Sequence, residues 1–313
     1  MTLKPEDVTR VKGMGFLRNK QTDRFSARII TENGTLTAEQ MENICRIARE
    51  YGAGTMAFTT RLTVEVPGIH YDDIETVQQQ LAKTGLVTGG TGSRVRPVVS
   101  CKGTTCHFGL ADTQGFARKI HEEFYVKWYD VKLPHKFKIA VGGCPNNCVK
   151  PDLNDLGIVG QHQVHYDPDL CNGCKKCAVE AACPMKAARV VDGVLQIDDK
   201  LCNNCGLCCG KCHFDAIEEG RYGFKIYLGG KWGKATRPGT PLPGIYSEEE
   251  VMKIIEKALL LYREQGKTGE RFGITLDRIG FDNFVAQLMS DEVLQRKEEI
   301  LNAPLHLTGG AKC

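Results

Sequence analysis

The sequence lacks three features, each of which is typical of a particular class of protein. No window approaches eighteen uninterrupted apolar residues, so no transmembrane helix is predicted. Basic and acidic side chains nearly cancel, 41 against 38, and the net charge of +3 argues against a nucleic-acid-binding protein. No GxGxxG motif follows a strand-like segment, so the chain is not expected to oxidise NAD(P)H itself.

The start of the chain also lacks the apolar segment of a secretory signal peptide, which predicts a cytoplasmic protein. Hydrophobic residues make up 42% and charged residues 25% of the 313 positions. This is the balance of an ordinary globular protein with one large core or two modest ones.

Local patterns predict an α+β order. Strands are predicted at 24–30, within 54–69, at 136–141 and at 224–230, and helices at 71–84, around 112–124 and at 281–300. Two further helices carry capping boxes, Thr37 with Gln40 and Ser247 with Glu250, and the second is expected to end at Gly266. The Gly-rich stretch 85–93 predicts a domain boundary or a backbone close to a ligand.

Cysteine is abundant, with fifteen residues. The odd number and the absence of a signal peptide argue against a secreted disulfide scaffold. Twelve cysteines fall into three groups of four, which leaves Cys45, Cys209 and Cys313. Cys45 is predicted to be a small core residue, and spacing must decide between zinc and iron–sulfur clusters for the groups.

Nine of the fifteen cysteines lie between residues 166 and 218, as in an inserted module. Two C-x2-C-x2-C runs, each followed by a fourth cysteine, resemble a bacterial two-[4Fe–4S] ferredoxin. In that pattern three cysteines of a run hold one cubane and the fourth ligates the other. The predicted ligand sets are Cys171, Cys174, Cys177 with Cys212, and Cys202, Cys205, Cys208 with Cys183. Zinc sites have no use for eight thiolates in this order, and Cys209 breaks the register, so it is predicted to be a non-ligand.

The remaining group comprises Cys101-x4-Cys106 and Cys144-x3-Cys148, the second pair within VGGCPNNC. A C-x3-C pair is expected to place two sulfurs on neighbouring turns of one helix, and Gly142-Gly143 would let the backbone approach a bulky cofactor. Taken alone, this spacing permits either another cluster or a structural metal site.

Four segments together resemble the siroheme sulfite and nitrite reductases. They are MAFTTRLTVEVPGI (56–69), RVRPVVSCKGTTCHFGL (94–110), LPHKFKIAVGGCPNNC (133–148) and RFGITLDRIG (271–280). One half-domain copy and an inserted ferredoxin are most similar to the C subunits of anaerobic sulfite reductases, followed by the sulfite reductase half of the coenzyme F420-dependent enzymes of methanogens. The first pair here is C-x4-C where the family has C-x5-C, which affects the geometry expected at Cys101.

The resemblance implies an α+β fold with three parts. These are a ferredoxin-like half-domain, a siroheme and [4Fe–4S] α/β domain, and an inserted two-[4Fe–4S] ferredoxin module. The expected boundaries are 1–85 for the half-domain, 86–165 and 220–313 for the two parts of the siroheme domain, and 166–219 for the module.

The resemblance also implies a siroheme whose iron shares the sulfur of Cys148 with a [4Fe–4S] cluster. Cys101, Cys106 and Cys144 would complete that cluster, giving three clusters in all. Further contacts to the cofactor are expected from Gly143 and from Arg94, Thr104, Thr105 and Asn146. Arg94 would suit a macrocycle carboxylate because its guanidinium binds carboxylates in a bidentate fork.

Four cations match the family's sulfite-binding residues, namely Arg61, Arg96, Lys136 and Lys138. On the predicted strand, Lys136 and Lys138 lie two apart and point to one face, whereas Phe137 points to the other. A K-x-K strand is ordinarily a solvated edge. The nearby cysteines favour the functional interpretation for the lysines, while the arginines remain open between the two.

The expected function is the six-electron reduction of sulfite to sulfide by a catalytic subunit of the dissimilatory or anaerobic type, with electrons entering through the ferredoxin module. Nitrite reduction at the same centre and a three-cluster electron carrier without siroheme are the alternatives. The resemblance suggests an iron–sulfur subunit and a flavoprotein as electron donors, and the single half-domain suggests a homodimer or larger assembly.

Overall fold

The computed structural model describes residues 3–306, so Cys313 lies outside the described residues. The strands are β1 (Phe16–Arg18), β2 (Arg24–Ile29), β3 (Ala57–Phe58), β4 (Val64–His70), β5 (Val99–Ser100), β6 (Ile139–Gly142), β7 (Leu156–Tyr166), β8 (Ala188–Val191), β9 (Val194–Ile197), β10 (Ile217–Leu228) and β11 (Thr240–Pro241). The helices are α1 (Pro5–Gly13), α2 (Ala38–Glu50), α3 (Ile74–Ala82), α4 (Thr113–His121), α5 (Ala178–Ala182), α6 (Glu248–Gln265), α7 (Phe272–Ile279), α8 (Phe281–Met289), α9 (Glu292–Gln295) and α10 (Lys297–Asn302). Within 3–306, none of them combines the length and hydrophobicity needed to cross a membrane.

The chain divides into two compact units. The described residues of unit 1 are 3–99, 117–139 and 254–306, and those of unit 2 are 100–116 and 140–253. The four-segment division predicted from the sequence is finer and stays a prediction.

The first part of unit 1 is a four-stranded antiparallel sheet in the order β1-β2-β4-β3. Helices α2 and α3 bury Ile44, Ile47, Val77 and Leu81 in one core with the apolar side chains of the sheet. The capping box predicted at Thr37 is present, because its side chain accepts from the Gln40 N–H and the Gln40 side chain accepts from the Thr37 N–H. The expected strand at 24–30 is confirmed as β2.

The segment 136–138 of unit 1 is extended but precedes the strand. Strand β6 begins at Ile139, and before it only Phe137 forms an isolated bridge, to Val95. The Phe137 ring is fully buried and packs against Tyr262 and Phe272. The strand predicted at 136–141 therefore starts three residues late, while the predicted inward orientation of Phe137 is confirmed.

The predicted helix 281–300 is wrong as a single element. It consists of α8, α9 and α10. The backbone at Ser290 is extended, and the Ser290 hydroxyl accepts a hydrogen bond from the Glu292 N–H, which begins a new helix. A serine hydroxyl that accepts from a backbone N–H two residues on favours a turn over a helix interior.

Most of a five-stranded sheet, in the order β11-β10-β7-β6-β5, belongs to unit 2. The long strands β7 and β10 pair antiparallel from Leu156 with Leu228 to Tyr166 with Ile217. Beyond their ends lies the cysteine-rich module, which holds α5 and the hairpin β8-β9. A small core of Val179, Ala188, Leu195 and Ile217 packs against five of its cysteines.

Candidate active site and metal centres

A basic cavity of about 210 Å³ lies within unit 1. Its lining residues come from β2, from the loop after β3, from 90–97 and from the segment before β6. They are Arg28, Thr59, Thr60, Arg61, Thr63, Gly90, Arg96, Pro97, Lys136 and Lys138. Five of these ten residues are cationic and none is acidic, so the cavity suits a small anion.

Two of the arginines come from the N-terminal sheet and its loops. Arg28 on β2 pairs with Glu65 directly opposite on β4, at 2.5 Å between Nη2 and Oε1. Arg61 donates from Nη2 to the carbonyls of Pro97 at 2.6 Å and Ile139 at 3.1 Å. These bonds fix the guanidinium groups at the cavity wall.

Arg96 is held by the Gly-rich stretch. Its Nη1 donates to the Gly90 carbonyl, and the Gly90 N–H donates to the Tyr125 hydroxyl at 2.9 Å. Tyr125 lies on a π-helical turn, Glu122–Val126, that continues α4. Burial lowers the pKa of Arg96 to about 10, and the nearby charge of Arg28 adds to the shift. Gly90 itself lies in the lining of the cavity, and the expectation that this backbone approaches a ligand stays a prediction.

Lys136 and Lys138 both line the cavity, while Phe137 between them lies in the core. The residue before them, His135, accepts a hydrogen bond at Nδ1 from the Lys136 N–H at 2.7 Å. Burial lowers the pKa of His135 to about 4, and the charge of Lys136 acts in the same direction. The ring is therefore neutral at pH 7 and adds no charge of its own.

The structure thus brings together Arg61, Arg96, Lys136 and Lys138, all four cations that the sequence predicted for sulfite. Sequence reasoning missed Arg28 and the threonines of the loop. Arg28 sits within the predicted strand 24–30, where an arginine is usually on a solvated face. Only the pairing with Glu65 and the adjacent Gly90 carbonyl, which accepts from Arg28 Nη1 at 3.2 Å, identify its inward position.

Arg94 lines a different cavity of unit 1, with Tyr129, Asp130 and Lys132 among its walls. Its guanidinium carbon lies 4.2 Å from the centroid of the Tyr129 ring. Its Nη1 is buried and has no hydrogen-bond acceptor among the described residues. A buried donor of this kind costs free energy unless a ligand accepts from it, so Arg94 fits a carboxylate of a bound cofactor.

The thiols of Cys101, Cys106, Cys144 and Cys148 converge within unit 2. The pKa of Cys144 is raised by burial and further by the neighbouring thiols of Cys101, Cys148 and Cys106. Four thiols this close to one another fit a cubane better than separate structural roles. The C-x4-C spacing at Cys101 does not prevent this convergence.

The second pair does not lie on a helix, as the sequence had predicted. Residues 143–149 form successive turns, and Asn147 has a φ of 58°. Pro145 and the two asparagines favour turns over helix. The prediction of two sulfurs on neighbouring helical turns is therefore wrong, although Cys144 and Cys148 still come together.

Backbone groups of this turn bind the thiols. The Gly143 N–H donates to Cys101 Sγ at 3.2 Å, and the Asn146 N–H contacts Cys144 Sγ. A Cβ at Gly143 would lie 2.9 Å from Gly103 Cα and 3.5 Å from Cys101 Sγ, so the position requires glycine. The Gly142-Gly143 approach thus serves a contact within the protein.

The two predicted threonines sit on the short 3-10 helix Gly103–Thr105. The Thr104 hydroxyl donates to Asp112 Oδ1 at 2.6 Å and accepts from the Gln114 N–H at 3.0 Å. The Thr105 hydroxyl donates to the Lys102 carbonyl at 3.4 Å. Their contacts organise the loop before α4, and a contact to a cofactor stays a prediction.

The inserted module assembles two groups of thiols. Around Cys208, whose pKa is raised to about 11 by burial first, lie Cys202, Cys205 and Cys183. Around Tyr166, whose pKa burial raises to about 12, lie Cys171, Cys177 and Cys212. Cys174 is half-buried in the loop between Cys171 and Cys177. The fourth cysteine of each run thus meets the other run, as in a two-cubane ferredoxin.

Cys45 and Cys209 stand apart from these groups. Cys45 is half-buried on α2. Cys209 points its sulfur toward Glu219, at 3.9 Å between Sγ and Oε1, rather than into the cavity that Cys208 lines.

Two family models match nearly the whole chain. The nitrite and sulphite reductase 4Fe-4S domain matches residues 91–297, and the nitrite/sulfite reductase ferredoxin-like half domain matches residues 18–84.

Relatives agree with these matches. Coenzyme F420-dependent sulfite reductase of Methanocaldococcus jannaschii is 33% identical over 83% of this chain and 42% of its own length. The C subunit of the anaerobic sulfite reductase of Salmonella typhimurium is 31% identical over 46% of this chain and 45% of its own. The chain spans less than half the length of either relative. A crystal structure of dissimilatory sulfite reductase I shares the fold, with a TM-score of 0.68 at 24% identity over 90% of this chain and 72% of that one.

Proposed function

Because the chain belongs to the nitrite and sulphite reductase family, we propose that it reduces sulfite to sulfide by six electrons at a siroheme coupled to a [4Fe–4S] cluster. The chain has the α+β fold of that family, with a ferredoxin-like half-domain. The observation that supports the proposal best is the cavity lined by five cations and no acid. A protein that only carries electrons would not need such a cavity.

The proposed ligands follow from the donor groups present. Cys101, Cys106, Cys144 and Cys148 would hold the coupled cluster, Cys148 would also hold the siroheme, and Arg94 would bind a macrocycle carboxylate. Cys171, Cys174, Cys177 with Cys212, and Cys202, Cys205, Cys208 with Cys183, would hold two more clusters. When bound, these groups supply the redox chemistry that no side chain can supply.

The protein's own residues would bind and orient the oxyanion. Lys136, Lys138 and Arg61 can each donate hydrogen bonds to a sulfite oxygen in the cavity. Charge-assisted bonds of this kind are roughly twice as strong as neutral ones. They strengthen as negative charge develops on a departing oxygen, because the partly buried cations are already in place. The lysines can also pass protons to that oxygen and recover them from water.

Electrons would enter at the inserted module. The chain has no dinucleotide motif, and it spans less than half of relatives whose names describe a coenzyme F420-dependent enzyme and a subunit. We therefore propose an iron–sulfur subunit and a flavoprotein as donors, and a homodimer or larger assembly.

The test begins with one absorption spectrum of anaerobically purified protein, together with its iron and sulfide content. We expect sharp siroheme bands. We also expect about twelve cluster irons per chain, four in each of the three clusters, and one further iron in the siroheme. A broad brown spectrum without those bands would indicate an electron carrier that holds clusters and no siroheme.

The anion is tested next, with a chemically reduced viologen as donor so that no partner is needed. We expect kcat/KM for sulfite to exceed that for nitrite, with sulfide as the product. A higher value for nitrite, with ammonia formed, would assign the same centre to nitrite reduction.

A further inference from the structure

Three metal-binding side chains meet outside the predicted clusters, in unit 2. They are His162 on β7, Cys209 beside the second cysteine run, and Glu219 on β10, and their donor atoms all lie within 4.8 Å of one another. The His162 Nε2 lies 3.7 Å from Glu219 Oε2, and Cys209 Sγ lies 3.9 Å from Glu219 Oε1.

These separations, which run to the two different oxygens of Glu219, are close to the spacing of ligands around a tetrahedral ion. Bond lengths of 2.0–2.3 Å to zinc place neighbouring ligands roughly 3.3–3.8 Å apart. Direct hydrogen bonds between nitrogen and oxygen would be shorter, about 2.7–3.2 Å. The histidine and the carboxylate are therefore too far apart for a good hydrogen bond and well placed to share a cation.

His162 is the observation that points most clearly to a ligand. Its side chain is only 4% exposed, and Nε2 has no hydrogen-bond partner among the described residues. The ring stacks on Tyr222, the residue directly opposite on β10, with centroids 4.0 Å apart. Its Nδ1 edge packs on Gly206, where a Cβ would lie 2.2 Å from Nδ1. The ring is locked with Nε2 facing Cys209 and Glu219.

A β-bulge brings the carboxylate to this site. Glu218 pairs with His165 and Arg221 with Gln163, so Glu219 and Gly220 together oppose Val164. A Cβ at Gly220 would lie 2.0 Å from the Gln163 carbonyl oxygen, so the bulge depends on glycine. Bulges commonly re-aim a side chain next to a functional site.

We propose that His162, Cys209 and Glu219 bind one divalent ion of the zinc class, with a water as fourth ligand. Nitrogen, thiolate sulfur and carboxylate oxygen are the donors that Zn²⁺ takes, and three protein ligands leave one position open. The Cys209 thiol releases its proton on binding, since the thiolate is the ligand. Glu219 is exposed, which leaves an entry path from solvent.

The proposal gives a role to the cysteine that the ferredoxin pattern does not use. Cys209 follows a predicted cubane ligand, Cys208, directly. A cation held there would raise the reduction potential of that cubane, because it stabilises the added negative charge. The site is independent of siroheme, so it can be tested whether or not sulfite is the substrate.

The experiment uses anaerobically purified holoprotein, treated with a metal-chelating resin and dialysed against Zn²⁺. We expect one Zn²⁺ per chain with the iron content unchanged. Glu219→Gln and Cys209→Ser should each weaken Zn²⁺ binding at least about tenfold. Even mutations of residues that only hydrogen-bond to a metal ligand typically cost about 10- to 100-fold in metal affinity. Glu218→Gln, one residue away on the same strand, and Cys45→Ser, at another cysteine outside the predicted clusters, should bind like the wild type.

Zinc X-ray absorption supplies the second readout. One sulfur neighbour near about 2.3 Å, with nitrogen and oxygen near about 2.0–2.1 Å, is expected. Two or more sulfur neighbours, loss of iron as Zn²⁺ binds, equal affinity in Glu219→Gln and Cys209→Ser to that of the wild type, or no retained Zn²⁺ would each overturn the proposal.

Discussion

Lys136 and Lys138 show how an ordinary pattern becomes a site. Their alternation with a buried phenylalanine was predictable from the sequence, but a K-x-K segment is usually solvated. The structure places both lysines in one cavity with three arginines. Arg96 in its wall is half-buried, and this burial lowers the pKa of Arg96 to about 10.

Replacing either lysine with methionine should lower kcat/KM for sulfite about 10- to 100-fold. Each variant removes a charge-assisted hydrogen bond worth about 1.5–3 kcal/mol. The measurement is steady-state kinetics with a viologen donor, alongside iron and siroheme content. Lys127→Met serves as a control, since Lys127 is an exposed residue paired with Glu123. A decrease in kcat/KM no larger than in the control would show that the two lysines do not bind sulfite.

His121 provides a prediction about pH. Burial lowers its pKa to about 4, although the charge of Glu32 acts in the opposite direction. Because the folded-state pKa of His121 lies below its usual 6.5, the contribution of His121 to the stability of the fold is fully present above pH 6.5. Stability is then lost as the pH falls from about 6.5 toward 4.

His121→Phe, which can still pack on Tyr125, should flatten this part of the stability curve by about 1–3 kcal/mol. Denaturant unfolding of the variant and the wild type between pH 4.5 and pH 7.5 measures the difference. Parallel curves across that range would show that His121 is not the group that titrates.

Among the elements, the turn that carries Cys144 and Cys148 departs most from expectation. The C-x3-C spacing suggested a helix, but Pro145, Asn146 and Asn147 impose turns. The capping boxes of α2 and α6, in contrast, were predictable because four adjacent residues determine each one. Short sequence patterns therefore located these helix caps and the predicted strands. At the turn, the cysteine spacing favoured a helix whereas the proline and the asparagines favoured a turn, and the prediction of a helix was wrong.

Gly143→Ala should disturb the cluster bound by this turn. The added Cβ would lie 2.9 Å from Gly103 Cα and would move the N–H that donates to Cys101. We expect a loss of about four irons per chain together with siroheme. Gly13→Ala is the matched control, because a Cβ there meets no atom within 4 Å. Full cofactor content in Gly143→Ala would contradict the assignment.

The adjacent cysteines of the module offer a second comparison of this kind. Cys208→Ser should lower the iron content by up to about four per chain, whereas Cys209→Ser should leave it unchanged. The reason is that Cys208 lies with Cys202, Cys205 and Cys183, and Cys209 faces Glu219. Equal losses in both variants would mean that either cysteine can serve as the ligand.

At the level of the whole molecule, the fold class predicted from the sequence is confirmed by the matching family models and by the shared fold. Local strand and helix patterns and the resemblance of four segments to the family made this possible, while the twelve cluster ligands stay a prediction. Arg28 and the three threonines of the cavity could not be predicted, because strand pairing and loop packing bring them in from distant parts of the chain.

The same scale carries a prediction about assembly. We expect the purified chain to behave as a dimer or a larger species in light scattering, because it carries one half-domain copy and symmetric pairing is the common solution. A monomer that retains its full complement of siroheme would contradict this.

The ladder between β7 and β10 runs without interruption from the sheet to the base of the cysteine-rich module, apart from the bulge beside Glu219. Such a ladder contains no flexible linker, so the module cannot swing out to collect charge and return, as a tethered shuttle would. Within unit 2, electrons would have to hop over separations set by the strands. Turnover should therefore respond little to solvent viscosity.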